Sequence, residues 1–262
     1  MKVGDARVVL RPRSLGEQME LGLRWQSALA GPLYLKLSAL CLLPSFALCL
    51  WARYSEKAEW ADVWLLAMTL NVVIQGVFTV ANSLLFFREG VTVKQVFAQL
   101  RSRLGAYIGM LFFASLLFIG MAMTVFLIPI FCTRCLFAYE TCLLEGQSAL
   151  KSLNRSSTMV RGLSFQTLGT CISLSLAVLA FITVSELLGL GATEILDLPP
   201  MLGGFFEEGG SIMAIAGLHL STPFVTGVRF LSYIDNRTRR DGWDVQVRLM
   251  AMAAQDDRLE VG

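Results

Sequence analysis

Charge is scarce in this sequence. Only 16% of its 262 residues are charged, 55% are hydrophobic, and the mean hydropathy is +0.61. An ordinary soluble domain carries about a quarter charged residues. Too few are present here to cover a globule of this size, so a bilayer is the natural solvent. Histidine is nearly absent as well, His219 being the only one. No nucleophile–base pair and no metal-ligand spacing stands out elsewhere. The sequence therefore predicts no catalytic residue, no cofactor and no metal site, and a protein that is not an enzyme. No basic face runs over a folded surface, which excludes nucleic acid as a partner. A secretory signal is missing too, because Asp5, Arg7, Arg11, Arg13, Glu17, Glu20 and Arg24 interrupt the first 30 residues. The six cysteines (Cys41, Cys49, Cys132, Cys135, Cys142 and Cys171) all lie in apolar runs rather than in the loops of a disulfide framework. Cys132 and Cys135 have C-x-x-C spacing but no second pair, so all six read as small buried hydrophobes.

What the chain does have is long apolar runs. A span needs about 20 mainly apolar residues, and six segments meet or approach this: 31–52, 63–87, 105–126, 127–144, 163–190 and 209–232. The third and fourth form one tract, with Pro129 as the expected break, and the fourth reads either as a crossing or as a re-entrant arm. The expected fold is all-α, a six-span membrane domain over 31–232. It is preceded by an amphipathic cytoplasmic segment (1–30) and followed by a basic anchor and short helix (233–262).

Lys and Arg in the short flanks set the orientation. One side receives Arg7, Arg11, Arg13 and Arg24, then Arg88, Lys94, Arg101 and Arg103, then Lys151, Arg155 and Arg161, and finally Arg237, Arg239 and Arg240. The other side holds only Arg53 and Lys57, among Glu56, Glu59, Asp62, Glu194, Asp197, Glu207 and Glu208. Both termini are therefore expected in the cytoplasm, with Arg237, Arg239 and Arg240 on anionic headgroups and Tyr233 and Trp243 at headgroup depth.

The basic gaps carry helix signals. Thr92-Val-Lys-Gln95 and Ser14-Leu-Gly-Glu17 have capping-box form. After Thr92, residues Val93, Val96, Phe97, Leu100 and Leu104 recur on one helical stripe. Leu15, Met19, Gly22 and Leu23 do so after Ser14, and Ala149, Leu150, Leu153 and Val160 after Ser148, with poorer capping. Each reads as an interfacial helix. Together they make a threefold unit of interfacial helix, span, span. A further short helix is expected from Asp241.

Three stretches carry a resemblance. They are Leu10-Arg-Pro-Arg-Ser-Leu-Gly-Glu17, the run from Glu145-Gly-Gln-Ser148 to Val160-Arg-Gly162, and Arg229-Phe-Leu-Ser-Tyr-Ile-Asp-Asn-Arg237 with Arg240-Asp-Gly-Trp-Asp244. Together they resemble a broad group of bacterial six-span inner-membrane proteins. That group includes the membrane domain fused to some glycerophosphoryl diester phosphodiesterases and the YciC-like proteins. The resemblance implies bacterial origin, the inner membrane, an all-helical fold and amphipathic cytoplasmic elbows. It does not imply phosphodiesterase activity, since the soluble catalytic barrel of the fused proteins is not in this sequence. Thr133-Arg-Cys135 departs from the group's pattern by placing a charge where an apolar residue is usual.

Several residues are candidates for a role inside the membrane. Asn71, Gln75, Thr79 and Asn82 share one face of the second span, either lining a polar path or bonding to neighbouring helices. Arg134 and Glu186 are expected to form an intramembrane ion pair. His219, Thr222, Pro223 and Thr226 cluster in the sixth span, where Pro223 predicts a kink. Arg229 is expected to snorkel toward the cytoplasmic headgroups. Two functions follow from this pattern. The first is a non-enzymatic partner or scaffold of an envelope complex, bound to a membrane protein or to itself. The alternative is a transporter or lipid-handling protein with a polar path along the second span.

Overall fold

The computed structural model describes residues 13–196 and 205–241, and all regular structure among them is helical. The elements are α1 (Leu15–Arg24), α2 (Gly31–Leu37), α3 (Leu43–Tyr54), α4 (Trp60–Phe87), α5 (Val93–Ala122), α6 (Ile128–Cys135), α7 (Ala138–Leu143), α8 (Ala149–Val160), α9 (Ser164–Leu196), α10 (Phe205–Glu208) and α11 (Ile212–Asp241). Five stretches are long and apolar enough to cross a membrane: Gly31–Tyr54, Trp60–Phe87, Val93–Ala122, Val125–Leu143 and Ser164–Ile195. These are the helices of a multi-pass integral membrane protein. The helix α11 is long enough, but His219, Ser221, Thr222, Pro223, Thr226 and Arg229 make it too polar to be counted by composition. The C-terminal helix expected from Asp241, with Trp243, lies outside the described residues.

Local signals explain most helix starts. Ser14 caps α1 and Thr92 caps α5, each in a reciprocal capping box with Glu17 or Gln95. Ser148 begins α8 from an extended backbone but makes no side-chain cap, matching its poorer signal. The first apolar stretch is not one regular helix. Wide π turns at Trp25–Leu29 and Ser38–Leu42 stand directly before the helices that contain Pro32 and Pro44 near their starts. Proline offers no N–H to the preceding turn, and a π turn absorbs the lost bond. Pro129 breaks the third apolar tract as expected. A short 3₁₀ turn at Val125–Leu127 reverses the chain, and Pro129 sits in the first turn of α6.

The three expected interfacial helices take three different forms. No separate helix follows Thr92, because α5 runs unbroken from Val93 to Ala122, straight through Gly105 and Gly109. The helix α1 does not lie flat on lipid, for it buries Gln18 and Gly22 against α11. Only α8 stands apart from the helix that follows it, turning at Gly162, whose φ of +86° is a left-handed value. Its buried face matches the expected stripe only in part, since Val160 is buried and Ala149 and Leu153 pack against the core. Ser152, Ser156, Met159 and Val160 face inward, while Leu150 is exposed.

At the centre of the bundle is α11. Its neighbours α4 and α9 flank it in opposite senses. Asn71 meets Thr222 and Thr79 meets Arg229, so α4 runs parallel to α11. Glu186 meets Ser211 and Gln166 meets Asp235, so α9 runs antiparallel. The approach of α9 to α11 is close at Gly217, where an added Cβ would lie 2.6 Å from the Phe181 carbonyl oxygen. Small residues at such crossings let two backbones touch.

A buried polar seam as candidate functional site

The four polar residues of α4 are all turned into the bundle, and three of them meet α11. About three turns in from the acidic-side ends of the two helices, the Thr222 hydroxyl donates to Asn71 Oδ1, and Asn71 Nδ2 donates to the Ala67 carbonyl at 2.9 Å. Two turns further on, Arg229 uses its whole guanidinium. Its Nη1 donates to Gln75 Oε1, its Nη2 to Thr79 Oγ1 at 3.0 Å, and its Nε to Glu140 Oε1 at 2.9 Å. The same group stacks 4.1 Å from the centroid of the Tyr139 ring. Asn82 serves a different pair, accepting at Oδ1 from Trp25 Nε1 at 2.9 Å and from the Tyr34 hydroxyl.

Arg229 is therefore not a snorkelling residue. It is 4% exposed, Glu140 is 0% exposed, and together they form the buried ion pair of the protein's described residues. The physical reason is geometric. Arg229 faces α4 and α7 rather than the bundle surface, so a carboxylate and two neutral acceptors replace the water its headgroup would have sought. Glu140 Oε2 and Asn82 Nδ2 are buried without a hydrogen-bond partner.

The expected pair of Arg134 and Glu186 is not formed. Ser156 on α8 donates to the Arg134 carbonyl at 2.7 Å, which holds α6 beside the basic end of α9. Glu186 lies on α9 from Ser164 by a helical rise of about 33 Å at 1.5 Å per residue. There it accepts from the Phe205 amide at 3.1 Å and from the Ser211 hydroxyl, tying the acidic-side connection to the start of α11. Arg134 is exposed instead. Depth in the apolar runs carried the correct signal. Glu140 lies four residues from the basic end of 127–144 and Arg229 three residues from that of 209–232, whereas Glu186 is far toward the opposite end.

His219 sits apart from the Arg229 cluster. Its Nδ1 lies 2.8 Å from the Ile215 carbonyl and its Nε2 2.9 Å from Ser45 Oγ. A carbonyl can only accept, so Nδ1 carries the proton and Nε2 accepts from the serine hydroxyl. Phe46 packs against the ring. Pro223 leaves α11 continuous, and Thr226 donates to the Thr222 and Pro223 carbonyls at 2.8 and 3.0 Å.

Sequence reasoning missed the hydroxyls that fasten α6 and α7. Ser156 Oγ accepts from the Phe137 amide at 3.2 Å while donating to Arg134, and so it bridges the break between those helices. Thr141 donates to the Ser152 carbonyl at 3.0 Å. Tyr107 is equally inconspicuous in sequence. Its hydroxyl donates to the Val73 carbonyl at 2.8 Å and accepts from the Gly76 amide at 3.1 Å. An added Cβ at Gly76 would meet the Tyr107 ring at 2.5 Å.

The basic end is bound more tightly than an anchor requires. Asp235 accepts from the Arg13 amide at 2.7 Å, from Gln18 and Gln166 at 3.2 Å each, and from Arg239 Nε at 2.8 Å. Arg239 also donates to the Arg13 carbonyl at 2.8 Å. Tyr233 is buried and donates to Glu145, which pairs with Arg155, and Arg237 stacks on the Tyr233 ring. Of the three expected headgroup anchors, Arg239 thus ties α11 to the Arg13 carbonyl ahead of α1, Arg237 packs on Tyr233 of its own helix, and Arg240 is exposed. The cysteines among the described residues are free, and no cluster of three or more His, Cys, Asp or Glu converges there.

No protein-family model, no curated protein and no solved structure matches the chain.

Proposed function

We propose that this is a non-enzymatic protein of a bacterial inner membrane that works by holding a partner, as a scaffold in an envelope complex or in self-association. One observation carries the reading. The polar residues of α4 that would line a path are instead engaged in bonds to the π turn at Trp25–Leu29, to α2 and to α11. A seam whose side chains are tied to neighbouring helices in this way supports a fixed bundle more than an alternating one. The same seam supports α11 as a sixth crossing, since Thr222, Thr226 and Arg229 find hydrogen-bond partners inside the protein, as a non-aqueous environment demands. Six crossings, with the arginine-rich ends on one side, put both termini in the cytoplasm. The three helix starts at Ser14, Thr92 and Ser148 remain compatible with an internal threefold repeat whose units have diverged in form.

Affinity capture of the full chain in mild detergent tests the proposal. A stoichiometric membrane protein, or a second copy of the chain, is the expected result. Recovery of the chain alone as a monomer overturns it. The transport alternative is separated by changing Asn71, Gln75 and Asn82 to Leu. Under the scaffold reading, a variant that still folds keeps its cellular phenotype and its partner. Loss of phenotype with the partner retained supports transport.

A further inference from the structure

The acidic side of the protein is nearly stripped of cations, and the two it has lie together. Arg53 and Lys57 line one surface cleft with Glu59, Trp60, Trp64 and Glu208. No other Lys or Arg occurs in 53–62 or 191–211, the segments expected on that side. The cleft walls are fixed. Trp60 Nε1 donates to Glu208 Oε2 at 2.9 Å, Trp64 Nε1 donates to the Gly209 carbonyl at 3.1 Å, and the Arg53 guanidinium lies 4.9 Å from the centroid of the Trp60 ring. Gly210 allows this closure, since a Cβ there would strike the Trp60 ring at 2.6 Å.

Two groups in the cleft are not consumed. Lys57 and Glu59 are both exposed, and neither forms an ion pair among the described residues. Lys57 is also the only described non-glycine residue with a left-handed φ, +54°. Glycine or asparagine would hold that conformation with less strain, and strained positions gather where a ligand is held. Tryptophan pairs of this kind mark headgroup depth. Two cations face two anions here, so the cleft carries no net charge. That balance suits a ligand with one charge of each sign and disfavours a net anion.

We propose that this cleft binds a zwitterionic phosphoethanolamine-type headgroup from the leaflet on the acidic side. Its phosphate is taken by Lys57 with Arg53, and its ammonium by Glu59 over the indole faces. A phosphate oxygen accepts charge-assisted bonds from both cations, and an ammonium is attracted to both the carboxylate and the tryptophan π-system.

The test uses the full chain in nanodiscs containing equal amounts of phosphatidylethanolamine and phosphatidylglycerol, with retained lipid counted by native mass spectrometry. The expected result is retention of phosphatidylethanolamine about tenfold above phosphatidylglycerol. Lys57→Ala is expected to lower that retention about tenfold, and Glu59→Gln to erase the preference between the lipids. Both side chains are exposed, so both variants should melt with the parent. Lys94→Ala, on the opposite face, is the control and should change nothing. Competition by free phosphoethanolamine as effective as the lipid supports the same recognition with a soluble source. Equal retention of both lipids, an unaffected Lys57→Ala, or competition by inorganic phosphate equal to that by phosphoethanolamine overturns the proposal.

Discussion

The α4–α11 seam and the α5–α6 hairpin are both made of apolar-rich helix, yet they do opposite things with it. Along the seam, 44% of the most apolar stretch of α4 is buried inside the bundle, and polar side chains bond across it. In the hairpin the corresponding share of α5 is 11%. No charged residue lies between Arg103 and Arg134, and Phe112, Leu116, Ile119, Met123 and Phe126 are exposed. Hydropathy is equally high in both helices, 1.9 for α4 and 2.0 for α5. Apolarity therefore puts a helix into the membrane without saying which neighbours it has there. Lipid is as apolar as leucine, so the hydrophobic effect gives no preference between them. Polar groups supply that preference, and they lie in the seam.

The sharpest way to break this contrast is at the buried ion pair. Glu140→Ala leaves Arg229 buried beside neutral groups only, and it should cost about 3–5 kcal/mol of stability, read as thermal unfolding in detergent. The double replacement Glu140→Leu with Arg229→Met should cost much less than either single change, because no charge is then stranded. A smaller loss is expected from Gly217→Ala, about 1–3 kcal/mol, since its Cβ meets backbone of α9 that cannot swing aside. Asn71→Leu should cost about 0.6 kcal/mol, the average for one interhelical hydrogen bond in a membrane. In that background Thr222→Val should add little, because the two groups share the bond. On the hairpin, Phe112→Leu should change the melting behaviour by less than about 0.5 kcal/mol. A loss there as large as that of Asn71→Leu would mean that the hairpin packs against protein.

The weakest effect is pH-dependent and lies outside both regions. The Trp60 indole N–H, then Arg53, hold the Glu208 carboxyl below its ordinary range. A depressed folded-state value means that the contact stabilises at neutral pH and is lost as pH falls through that value. Tryptophan emission should therefore stay constant from neutral pH down to the usual carboxylate range and change only below it. Glu208→Gln should remove that transition.

Much of this architecture was legible before any coordinates. The two capping boxes, the break near Pro129 and the apolar runs are local signals, and local backbone chemistry acts on them wherever they occur. The polar face of α4 was legible too, and its residues meet Thr222, Arg229, Trp25 and Tyr34. Arg229, Glu140, Ser156 and Tyr107 were harder to place. A charge or hydroxyl in an apolar run announces that it needs a partner, but spacing along one chain does not say which helix will supply it. Arg134 and Glu186 show the cost of pairing by sign alone, since the two lie at different depths.

By itself, then, the sequence determined the solvent, the helical content and where most helices start, because hydropathy and capping depend on neighbours a few residues away. Tertiary structure alone decided that α11 becomes the centre of the bundle, that Arg229 takes Glu140 rather than a headgroup, and that the paired tryptophans close on Arg53 and Glu208. Those outcomes depend on which helices pack side by side, and in a medium that solvates every apolar surface equally, only the meeting of polar groups from distant segments settles that choice.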